Sequence, residues 1–87
     1  MKMIIAIVKD NEAEALTRAL TSAEYRVTGI ASTGGFLRSG VATLLIGVED
    51  ARVDSAISLV RETIAASEAG EKRGTLFVVP VSRFEQV

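Results

Sequence analysis

Residues 1–10, MKMIIAIVKD, decide the fold. Positions 3–8 form an unbroken, isoleucine-rich apolar run that Lys9 and Asp10 bring to an end. Its length and the charges that stop it favour a buried strand over a helix. It is far shorter than the roughly 20 apolar residues of a membrane-spanning helix. It also lacks the longer apolar region and small-residue cleavage site of a signal peptide. Side chains alternate along a strand, so Met3, Ile5 and Ile7 share one side and Ile4, Ala6 and Val8 the other. Both sides are apolar, and both need cover.

Downstream, Asp10 or Asn11 is placed to cap a helix, with Glu12 and Glu14 in its first turn where the dipole favours anions. Ala13, Leu16, Leu20 and Ala23 recur at helical spacing, which predicts an amphipathic helix over 11–23 with Glu14 and Arg18 as an exposed i,i+4 pair. Residues 25–32 hold Tyr, Val, Thr and Ile and read as a second strand. Ser32-Thr33-Gly34-Gly35 breaks it, and residues 36–40 form a short connection. Residues 41–48, VATLLIGV, are the third strand. Glu49-Asp50 then introduces a second helix over about 50–67, in which Val53, Ile57, Val60 and Ile64 form an apolar stripe. A polar loop over 69–74 leads to a fourth strand over 75–81. Pro80 within that strand predicts an edge, or the point where pairing stops. The tail 82–87 carries no periodic signal.

The order is βαββαβ, an α+β, ferredoxin-like arrangement in which two helices cover one face of a four-stranded antiparallel sheet. A single domain over residues 1–87 is expected. The second face has no cover within the chain. Leu44, Ile46 and Val48 oppose Thr43 and Leu45 on strand three, and Phe77, Val79 and Val81 oppose Leu76 and Val78 on strand four. A solvated antiparallel face would alternate with polar residues instead. The expectation is a homo-oligomer of closed symmetry that buries this face against copies of the chain. A chain of 87 residues is also of the size that commonly needs a partner or a staple.

Composition narrows function. The chain has no cysteine and no histidine, which removes disulfides, Cys/His zinc sites and histidine-based catalysis. Ten basic against eleven acidic residues, a net charge of −1, give no support to a nucleic-acid-seeking surface. With 48% hydrophobic residues the chain is too apolar for intrinsic disorder. A cytoplasmic protein with no membrane association is expected. Glu49, Asp50 and Asp54 cluster at the start of helix two, where they complement its dipole; they could hold magnesium, but nothing nearby demands it. Ser32, Thr33 and Ser39 have no histidine to activate them. No catalytic residue, metal site or cofactor is expected, so the chain is not read as an enzyme.

The unusual stretch is RVTGIASTGGFLRSGVATLLIGVED, residues 26–50. Gly34-Gly35 is able to present consecutive amides as an anion nest, or to serve as a plain turn. Arg26 and Arg38 flank it, as phosphate ligands or as ordinary surface charges. Phe36 is an aromatic in a loop, suited to a nucleotide base or to a subunit interface. Gly47 inside a strand leaves room for close approach, or marks a bulge. The segment has neither a Walker nor a Rossmann pattern.

The strings MIIAIVKD, RVT, STGGFLRSG, IGVED and FVVPVSRFEQV resemble the PII-like cyclic-di-AMP receptor family over nearly the whole chain. The resemblance implies a cytoplasmic homotrimer of this fold. Its sheets face one another at the centre, and it binds cyclic-di-AMP in clefts between subunits. It further implies a signal-transduction role with an unknown downstream protein partner. By motif it assigns Arg26 and Thr28 to the ligand-facing strand, Gly35, Phe36 and Leu37 to the loop holding one adenine, and Gly47 to the strand beside it. Phe77 matches the aromatic of strand four and Gln86 the glutamine of the closing RFEQ. Two departures stand out. Val41 occupies the place of a family asparagine that would hydrogen-bond adenine, and the loop before strand four is cut to about 69–74. They leave open a second reading, a PII-like interaction module that has lost or changed its ligand. An enzyme acting on a nucleotide is a third, held back by the lack of catalytic groups.

Overall fold

The structure, a computed structural model, describes residues 1–30, 40–65 and 74–87. Its elements follow the expected order. They are β1 (Lys2–Lys9), α1 (Asp10–Ser22), β2 (Arg26–Ile30), β3 (Val41–Val48), a 3-10 turn (Asp50–Arg52), α2 (Val53–Ala65) and β4 (Gly74–Pro80). The four strands form one antiparallel sheet in the order β2-β3-β1-β4. The arrangement is the α+β, ferredoxin-like one. The run at 3–8 is thus a central strand, buried toward the helices through Ile4, Ala6 and Val8 and apolar on its other side as well. β4 is an edge strand, and Pro80 is its last residue, opposite Lys2, where a missing N–H costs least.

One face of the sheet carries both helices. Ile4, Ala6 and Val8 from β1 and Leu44, Ile46 and Val48 from β3 are buried there with Leu16 and Leu20 of α1 and Ala56, Val60 and Ile64 of α2. Within α2 the fully covered row is Ala56, Val60 and Ile64, while Val53 and Ile57 pack at its margin. Glu14 and Arg18 pair at 2.8 Å on the exposed side of α1, as their spacing predicts.

The boundaries of α1 differ from the sequence reading. It begins at Asp10, with Lys9 in the capping position and no side-chain cap. The Asp10 amide instead donates to the Gly40 carbonyl at 2.8 Å, which ties the start of the helix to the turn entering β3. Gly40 makes that turn with a φ of 87°, a conformation that favours glycine. At the other end Tyr25 is not the first residue of β2. Its amide donates to the Leu20 carbonyl at 3.0 Å and that of Glu24 to Thr21 at 2.9 Å. This is a Schellman closure, in which Tyr25 folds back onto the core beside Leu20. Arg52 locks the corner: its guanidinium lies 4.1 Å from the Tyr25 ring centre and donates to the Ala23 carbonyl at 3.0 Å.

Candidate functional site

The register places the open face in three cross-strand rows. They are Arg26–Gly47–Met3–Val79, Thr28–Leu45–Ile5–Phe77 and Ile30–Thr43–Ile7–Thr75. The middle of this face is apolar, and Phe77, 52% exposed, stands at its β4 edge. Its polar side chains lie at its margins: Arg26 and Thr28, both exposed, on β2, and Thr43 and Thr75 in the last row.

At the Arg26 row the chain folds back over the sheet. The Val81 amide donates to the Met1 carbonyl at 3.1 Å, which anchors the start of the tail. Residues 82–87 then run beside the β2–β3 end of the open face. Between tail and sheet lies a groove of about 1020 Å³. Arg26, Thr28 and Gly47 line it from the sheet, and Arg83, Phe84 and Gln86 from the tail. Met3 and Leu45 make its apolar floor. Arg26 holds its guanidinium over the Phe84 ring, 5.7 Å from the centre, at the outer limit of a useful cation–π contact. Arg83 is paired with Glu85.

Gly47 needs no bulge. Pairing with Arg26 on one side and Met3 on the other runs unbroken through it. A β-carbon there would come within 3.2 Å of the Met1 methyl, the movable end of a flexible side chain. The glycine therefore lowers the groove floor rather than relieving a backbone clash. At the same end the Met1 amino group lies 2.9 Å from Asp50 Oδ1. That hydrogen bond and charge, helped by Lys2, hold the Asp50 carboxyl below the usual carboxylate range.

Of the residues singled out from the sequence, Arg26, Thr28, Gly47 and Gln86 share this groove. Phe77 does not: β4 pairs with β1 rather than β3. It thus stands three strand spacings from Thr28 in the same row, about 14 Å away. Gly35, Phe36 and Leu37 lie outside the described residues, as do Gly34, Arg38 and the loop expected at 69–74 up to residue 73. Phe84 and Arg83 were not singled out. The one local hint is an aromatic placed between charged residues in an otherwise polar tail.

A second depression, about 690 Å³, lies between α1 and the β2–β3 edge on the helix side. Among the described residues its rim carries the paired Glu14 and Arg18 and no aromatic, whereas the groove under the tail brings Arg26 and Phe84 together. Among the described residues no cluster of three His, Cys, Asp or Glu side chains is arranged to hold a metal, and no helix is long and apolar enough to cross a membrane.

The family described as cyclic-di-AMP receptor matches residues 1–69. A solved structure described as that of a functionally unknown protein from Pediococcus pentosaceus ATCC 25745 is similar throughout, at 30% identity and a TM-score of 0.77. The similarity covers 99% of this chain and 96% of that one.

Proposed function

The chain belongs to the cyclic-di-AMP receptor family, and from that premise we propose that it is a non-enzymatic, cytoplasmic nucleotide sensor. In this reading a single PII-like domain assembles as a homotrimer and takes cyclic-di-AMP into clefts between its subunits. The observation that carries it is a convergence. Arg26, Thr28, Gly47 and Gln86 come from two strands and the tail, yet they line one groove. That groove opens at the edge of an apolar face that the described residues leave only half-buried.

The chemistry suits the ligand. Arg26 supplies a permanent cation with a planar donor fork for phosphate. Thr28 and Gln86 supply hydrogen bonds to base edges or ribose, and the floor of Gly47, Leu45 and Met3 accepts a flat ring. Phe77, distant from the groove of its own subunit, is free to face a neighbour's cleft. Phe36, with Gly35 and Leu37, contacts one adenine. Ligand binding changes the surface offered to a downstream protein.

Light scattering should give three times the 9.2 kDa protomer mass. Calorimetry on that assembly should show cyclic-di-AMP binding that Arg26→Ala weakens by about 2 kcal/mol, the scale of a hydrogen bond to a charged group. The melting temperature without ligand should stay the same. Val41 favours a second reading, an interaction module without this ligand. It opens β3 opposite Lys9, and its side chain has no amide to pair with adenine. A trimer in which wild type and Arg26→Ala are equally inert toward cyclic-di-AMP would decide for that second reading.

A further inference from the structure

Phe84 is out of place for a residue of the core. The residue is 53% exposed, and it sits in a tail without regular structure. It belongs to no part of the buried cluster. What the ring does touch is functional: Arg26 lies over one face, and the ring lines the groove opposite a floor kept low by Gly47. A benzene ring that has a guanidinium over one face and stays half-exposed where it lines a groove is a platform for a third flat group. Purines stack on such rings, and the phosphate attached to the base would lie within the field of the same guanidinium.

We propose that Phe84 is a ligand-binding residue, the platform on which a purine base of the bound nucleotide stacks. The tail is then a wall of the site rather than a loose end. The inference rests on the nucleotide-sensor reading above and adds to it a named base contact from the tail. It also accounts for the Val81–Met1 hydrogen bond, which fixes the direction in which the tail leaves β4 and so carries Phe84 back to Arg26.

The test uses the assembled protein, with cyclic-di-AMP and inorganic pyrophosphate as probes. Phe84→Ala and Phe84→Leu should each bind cyclic-di-AMP about tenfold or more weakly than wild type, with solution mass and melting temperature unchanged. Phe84→Tyr should bind as wild type does. The chain contains no tryptophan, so Phe84→Trp carries a lone indole. Cyclic-di-AMP should quench its emission, while pyrophosphate, which brings phosphate without a base, should not. Phe84→Leu or Phe84→Ala binding as tightly as wild type overturns the inference and leaves the sensor reading standing. So does an indole that ignores cyclic-di-AMP while the protein binds it, or one that responds equally to pyrophosphate. A wild-type protein that binds no cyclic-di-AMP overturns the sensor reading, and this inference falls with it.

Discussion

The two faces of the sheet are built from neighbouring residues of the same strands and differ mainly in what covers them. On the helix side, Ile4, Ala6, Val8, Leu44, Ile46 and Val48 are buried. On the other, Met3, Ile5, Ile7 and Leu45 are only half-buried and Phe77 is exposed. Composition scarcely separates them: both are dominated by aliphatic side chains. A face meant for water would carry polar residues along its whole length. Here the polar groups stand at the margins, Arg26 and Thr28 on the β2 edge beside the groove and Thr43 and Thr75 in the last row, while the centre is apolar.

The same substitution made at adjacent positions tests that contrast directly. Ile4 is fully buried and Ile5 is its neighbour on the open side. Ile4→Asp removes a core side chain and puts a carboxylate in its place. The cost, about 5 kcal/mol or more, is comparable to the whole stability of a domain this size. Circular dichroism should show an unfolded chain. Ile5→Asp should leave the fold intact and act on assembly instead, by about 3 kcal/mol or more, because a carboxylate would be buried without a partner between subunits. Light scattering should then report the protomer mass at concentrations where wild type is assembled. An Ile5→Asp protein with wild-type mass would mean that the open face is not where copies meet.

The contrast was legible in the sequence because strand periodicity assigns alternate residues to opposite faces whatever the topology. The element order followed from the same periodicities. Local chemistry was harder to read. Tyr25 has the character of a strand residue, yet the closure of α1 claims it, since a hydrogen bond to Leu20 and a place in the core outweigh its propensity. Lys9 caps α1 without a capping side chain because Gly40, distant in sequence, supplies the carbonyl that the first amide needs. Within the candidate site, Arg26 and Gly47 stand out from the residues themselves, and the pairing of β2 with β3 brings them together. Thr28 and Gln86 come only from the family resemblance. Phe84 had no periodic signal, because its position depends on the Val81–Met1 hydrogen bond between the two ends of the chain. The separation of Phe77 from the groove depends on β4 pairing with β1, a fact of strand order and not of any residue's type.

A smaller effect is expected where the helix side is closed. Glu24 adopts a φ of 69° at the end of α1, a left-handed conformation that strains a side chain with a β-carbon. Glycine would remove that strain and lose more freedom on folding, for a net gain of about 0.5–1 kcal/mol. Urea denaturation of Glu24→Gly should therefore show a raised midpoint and an unchanged slope. Because Glu24 is exposed and outside the groove lining, affinity for cyclic-di-AMP should not move. A lowered midpoint would mean that the glutamate side chain contributes more than its backbone strain costs.

The smallest effect belongs to the ion pair at the groove end of the open face. Asp50 is held below its ordinary pKa first by the hydrogen bond from the Met1 amino group, then by that group's charge, with Lys2 adding to it. A carboxylate with a lowered folded-state pKa contributes stability above its unfolded value and loses it as pH falls through the folded one. Acid should therefore weaken the hold of Asp50 on Met1. Met1 also lines the groove beside Gly47, so the loss should be felt on that side of the sheet. In a pH titration of the melting temperature, Asp50→Asn should flatten the acid limb slightly and leave the neutral plateau close to wild type, since the exposed pair is screened there by solvent. An acid limb identical in the two proteins would assign the pH dependence to other carboxylates and leave Met1 held by packing alone.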